Sequence, residues 1–304
     1  MILVVSPYHM TTREPAAMVS MVLARNVVTA MPTPAGALSR DAVTDAASRV
    51  PKYAELMESW DWAMPLFSGG VCGTAFAGED PLDDVRSVCA DIETNDRYAT
   101  LRPFMRTILE QGDDRVIGAI SRDVIKAGPD PAISVPLSAA IDRFASRHDL
   151  IAVRSESKST AQKAETRLAS PILRFAFETL LQGPTSRILE IRTELEAELD
   201  AMREAIETHD EPAARSAADA ITAAFDRDRE DFLRNDDPDD VRSIAGMVSV
   251  SLSELPADAV LTSSAFAATH VLGRGPSDSE VAVADRSVVR SLTIRPIGGR
   301  APRR

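Results

Sequence analysis

A chain of 304 residues, 44% hydrophobic and 26% charged, can bury a sizeable core and has an ordinary globular composition. Its formal charge of −12 argues against nucleic acid as a partner, which calls for a basic face. Two cysteines, Cys72 and Cys89, rule out a disulfide framework or a CxxC metal clip, and no run approaches the roughly 18 apolar residues of a membrane helix. With no basic stretch ahead of the first hydrophobic run, the expectation is a cytoplasmic protein in a reducing interior.

In chain order, Ile2–Val5 is an unbroken apolar run, the pattern of a strand buried on both faces. The segment SPYHMTTRE follows as a polar loop, and PAAMVSMVLAR (Pro15–Arg25) is a helix apolar nearly all round, which must be covered on several sides. VVTAM (Val27–Met31) is a second strand stopped by PTP. Strand, helix and strand at this spacing make a βαβ unit with a parallel pair and a right-handed crossover.

Helix then dominates. Ser39 caps a helix through about Val50, Pro51 opens another, and SGGVCG is a break. Asp80, Pro81, Asp83 and Asp84 form a helix start by cap and dipole logic. Helices are expected over Arg97–Glu110, Asp114–Ala127 and Pro136–Arg147, the last two split by GPDP, and LIAVR (Leu150–Arg154) returns to a buried strand. Ile188, Ile191, Leu195, Leu199, Met202 and Ile206 form one apolar stripe on a long helix; THDEP turns the chain, and Pro212 opens a second helix. VSVSLS (Val248–Ser253), DAVLTSSAF and VVRSLTIRPI are strand candidates.

The expected fold class is therefore α/β and helix-rich. A small, mainly parallel sheet is formed by the N-terminal βαβ unit, a strand near 150–154 and the C-terminal strands, with large helical insertions. The expected organisation is a core of 1–155 plus 240–304, with a helical insertion at about 39–148. A helical segment at 156–239 carries an antiparallel hairpin over 186–234.

The candidate site is the loop after the first strand, because ligands of parallel α/β sheets bind at the carboxyl ends of strands, near the next helix start. Ser6, Thr11, Thr12 and Arg13 are candidate ligand-binding residues for a phosphate or carboxylate, with Thr12 also placed to cap the following helix. His9 is a candidate proton carrier, and Glu14 its orienting partner or a base.

No motif names a cofactor: GxGxxG and a Walker-type lysine are both lacking. His9, His148, His209 and His270 make no HxxxH or HExxH pair, so no metal site is expected. The glycines and Cys72 of SGGVCGT read as a connector with a quiet thiol, and WDW (Trp60–Trp62) as a packed helix end. The arginines at 295, 300, 303 and 304 read as a solvated tail. Two functions follow as expectations: an enzyme or sensor binding an anionic small molecule at Ser6–Glu14, or a non-enzymatic protein self-associating through the hairpin.

Overall fold

The computed structural model describes residues 1–13, 15–32, 40–74, 79–148, 150–155, 185–208, 210 and several positions between 212 and 223. For the strands over 173–181, 242–252, 260–271 and 289–296 it describes backbone and pairing. Strand β1 (Ile2–Val4) lies between β2 (Asn26–Val28) and β4 (Ile151–Ser155) and is parallel to both. Leu3 stands opposite Val27 on one side, and Val4 opposite Ala152 on the other. Leu3, Val4 and Val27 are buried, so the apolar run of the first strand reflects its central place in the sheet.

A two-residue strand, β3 (Cys72–Gly73), extends the parallel part beyond β2. The sequence offered only a break there. The glycines before it have a local cause: Gly70 takes φ +71 after a short helix, while Val71 N–H donates to the Leu66 carbonyl and Gly70 N–H to that of Phe67. That is a left-handed helix cap, which glycine adopts without a side-chain clash.

Beyond β4 the sheet continues through β7 (Val260–Val271), parallel to β4, and then antiparallel through β6 (Arg242–Leu252), β5 (Leu173–Leu181) and β8 (Val289–Pro296). The whole order is β3-β2-β1-β4-β7-β6-β5-β8. The sheet is thus parallel in its N-terminal half and antiparallel in its C-terminal half. Strand β5 falls in a segment expected to be helical throughout. Phe175, Phe177 and Thr179 alternate there, and antiparallel pairing with β6 and β8 is the tertiary context that selects strand.

Between β1 and β2 run α1 (Pro7–Thr12) and α2 (Pro15–Leu23). Between β2 and β3 come α3 (Arg40–Arg49), α4 (Pro51–Ser59), a 3-10 turn at Asp61–Ala63 and α5 (Met64–Ser68). Four helices join β3 to β4: α6 (Pro81–Thr94), α7 (Arg102–Glu110), α8 (Asp113–Ile125) and α9 (Pro131–Arg147). Asp80 caps α6 as its sequence indicates, accepting from Leu82 N–H at 2.8 Å. Helix α9 begins five residues before the expected Pro136, because Asp130 already caps it through Ala132 N–H at 3.0 Å. Its far end is tied to α6 by two Arg147–Asp84 hydrogen bonds of 2.7 and 3.0 Å, and His148 Nε2 meets Glu79 at 2.7 Å.

The striped segment forms α10 (Ser186–Glu194) and α11 (Glu196–Glu207), broken at Leu195, rather than one continuous helix. Ile188, Ile191, Leu199 and Met202 are all buried, so this stripe is covered within the chain. Asp210 then caps the next turn through Ala213 N–H, and residues 212–214 and 219–221 are helical. Residues 216, 217 and 223 are helical as well; the remainder of the second arm expected there, including DRDRED, lies outside the described residues, as do His209 and the last three arginines of the tail.

Two arginines anchor α10 and α11 to the C-terminal end of α2. Arg192 Nη1 donates to the carbonyls of Met21, Val22 and Ala24, and its Nη2 to that of Arg25. Arg203 Nε donates to the Leu23 carbonyl at 2.7 Å, and its Nη1 to Asp200 at 2.7 Å. The last turn of a helix leaves four carbonyls without intrahelical donors and carries the negative end of the dipole. Two guanidiniums answer both. Burial holds Arg192 below the usual arginine range, and the Arg203 charge adds to this.

Candidate functional site

The first three strands of the parallel part end side by side. Val5 N–H donates to the Val28 carbonyl and Thr29 N–H to the Gly73 carbonyl, so Val5, Ser6, Thr29 and Gly73 cluster at the carboxyl edge. The strand order also reverses here: from β1 the chain moves outward to β2 and β3, then returns to place β4 on the other flank of β1. Among the described residues no helix is long and apolar enough to cross a membrane, and no three His, Cys, Asp or Glu side chains gather as metal ligands would.

The residues expected to form a loop at this edge form α1 instead. Ser6 is its N-cap, in extended geometry at φ −62 and ψ 139, and its side chain accepts from Tyr8 N–H at 3.3 Å; Pro7 supplies a preset first helical position. Thr11 Oγ1 donates to the Pro7 carbonyl and Thr12 Oγ1 to the Tyr8 carbonyl, both at 2.9 Å. Thr12 is therefore not the cap of α2: its hydroxyl turns back into α1. Arg13 ends the helix in the left-handed region, φ 51 and ψ 46.

Both tryptophans of the sequence close on this corner from the end of α4. Trp60 Nε1 donates to Thr11 Oγ1 at 2.9 Å, and the Arg13 guanidinium lies 5.2 Å from the centroid of a Trp62 ring. Partial burial lowers the Arg13 pKa from its ordinary value. Ser6 and His9 are fully enclosed, Thr11 and Arg13 are half-buried, and Thr12 is exposed. Glu14 lies outside the described residues. Of the six residues expected to share a site, five thus stand on one helix and its cap, with Ser6, Thr11 and Thr12 bonded within it.

Three residues escaped the sequence reading. Tyr8 is buried and donates its hydroxyl to Asp123 Oδ2 at 2.6 Å, while Asp123 Oδ1 accepts from Asp130 N–H at 2.9 Å. This joins α1 to α8. Desolvation raises the Asp123 carboxyl above the usual range, against the pull of its two hydrogen bonds. Nothing in SRDVIKAG marks this aspartate as buried. Thr29 is the third: it follows β2 at the carboxyl edge, is 1% exposed, and its Oγ1 has no hydrogen-bond partner among the described residues. Its standing as the one polar residue within VVTAM is the signal that could have found it.

Cys72 is quiet. Its Sγ donates to Met21 Sδ at 3.1 Å, and burial pushes the thiol up to about 12, with Arg192 only partly opposing. A thiol so placed holds almost no thiolate near neutral pH.

No family model, curated protein or solved structure matches the chain.

Proposed function

We propose that the protein binds an anionic small molecule at the carboxyl edge of its parallel sheet, as an enzyme or a sensor. The observation that carries this is the strand order β3-β2-β1-β4, whose reversal at β1 opens a crevice between the ends of β1 and β4 in folds of this type. Arg13, half-buried over Trp62 at the end of α1 away from Ser6, would supply the charge. Ser6, Thr11 and Thr12 fix α1, and so fix where Arg13 stands. Proton transfer would engage His9, which is fully enclosed, with Glu14.

A dinucleotide is a poor fit. Pro7 and Tyr8 stand where a glycine-rich turn would let a pyrophosphate reach the backbone. The rival function, self-association through the apolar stripe, loses support because Ile188, Ile191, Leu199 and Met202 are covered within the chain.

Thermal unfolding and calorimetry with inorganic phosphate and with succinate test the proposal. At least one should raise Tm and bind. Arg13→Gln should abolish this while Arg106→Gln, on an exposed ion pair with Glu93, leaves it intact. Equal binding by wild type and Arg13→Gln, or by neither, refutes it.

A further inference from the structure

We infer that Thr29 is a ligand-contacting residue, its hydroxyl donating a hydrogen bond to the anion; this rests on the site proposed above. A buried hydroxyl is nearly always paired, because leaving it unpaired forfeits its hydration without return. At Thr29 the neighbouring main chain is already engaged: its N–H donates to the Gly73 carbonyl at 2.9 Å, and its own carbonyl accepts from Met31 N–H at 2.7 Å. Oγ1 remains buried with no partner among the described residues.

The same edge offers a direct contrast. Ser6, at the end of the adjacent strand, is equally buried, but its side chain is engaged by Tyr8 N–H. Thr11 and Thr12 likewise bond to carbonyls. Local bonding therefore accounts for Ser6, Thr11 and Thr12, whereas Thr29 Oγ1, like the buried hydroxyls of Tyr53, Ser121, Ser134 and Ser138 elsewhere, has no partner among the described residues. Of these five, Thr29 is the one that directly follows a strand of the parallel sheet. Its place adds the second observation: it directly follows β2, one strand from the reversal at β1 and beside the end of β3. A neutral donor there suits an oxygen that bears negative charge, and it complements the guanidinium of Arg13 without adding a second buried charge.

Thr29→Val keeps the branched shape and removes the hydroxyl. The expected result is an unchanged or raised Tm without ligand, together with at least a tenfold weaker Kd for whichever of inorganic phosphate and succinate binds wild type. Thr29→Ser, which keeps the oxygen, should bind within about threefold of wild type. The phosphate and succinate arms distinguish the two anion classes.

If wild type and Thr29→Val bind the same probe equally while Arg13→Gln does not, the role of Thr29 is overturned and the site stands. If neither probe binds wild type, both fall. If Thr29→Val lowers Tm sharply or does not fold while Thr29→Ser stays as stable as wild type, the hydroxyl is structural and the inference fails.

Discussion

The two ends of the parallel sheet treat polar side chains in opposite ways. At the carboxyl edge a dense run of polar residues, Ser6 to Arg13, bonds largely within its own six-residue helix. At the amino edge two arginines far along the chain, Arg192 and Arg203, complete the end of α2 across separations of 167 to 181 residues. Crowding in sequence thus reflected mainly local helix chemistry, with Tyr8–Asp123 and Trp60–Thr11 as its long-range exceptions, whereas the amino edge is completed by two arginines that no sequence motif singled out. Polar density alone is a weak guide to where a fold commits its charges.

The sharpest way to break this contrast is at the amino edge. Arg203→Ala strips donors from buried carbonyls and should cost about 3 kcal/mol in urea unfolding, as removal of one partner from a buried charged contact does. A loss under about 1 kcal/mol would mean that the α2 carbonyls find other donors. Arg203→Lys should recover part of the loss, since an ammonium cannot reproduce the fork.

At the carboxyl edge, His9→Ala should cost roughly 2–3 kcal/mol, because the ring is fully enclosed and its removal leaves a cavity. An unchanged Tm would show instead that α1 packs loosely. Tyr8→Phe should cost about 1–2 kcal/mol, by leaving the Asp123 carboxylate without its hydroxyl donor.

Much of the fold was legible because periodicity and caps are local: the first strands, the Asp80 start of α6 and the strand near 150–154 all follow from short patterns. What escaped depends on partners. Cys72–Gly73 is a strand only because Val27 and Val28 lie beside it, and α1 was hidden because its side chains read equally well as ligands. The burial of Asp123 is a property of Tyr8, 115 residues away.

Asp123 also predicts a pH effect of modest size. A carboxyl raised in the folded state holds its proton more tightly folded than unfolded. Its favourable contribution is therefore present in acid and is lost as pH rises from the ordinary carboxylate range through the raised value. Asp123→Asn, which can accept from Asp130 N–H and donate to the Tyr8 oxygen, should flatten that dependence in unfolding measured from pH 3 upward. The smallest expected effect is on the thiols. Cys72 and Cys89, both pushed up to about 12, should react with a thiol reagent only as fast as the protein opens, and at full speed in denaturant.

The arginine clamp on α2 has a consequence for synthesis. Helix α2, apolar on nearly every side, leaves the ribosome some 170 residues before the groups that complete its last turn. Until then the nascent chain must carry an unfinished hydrophobic helix, a species that attracts chaperones and other nascent chains. Stalled chains released before residue 192 should aggregate, and those extended past Arg203 should resist proteolysis at Leu23–Arg25.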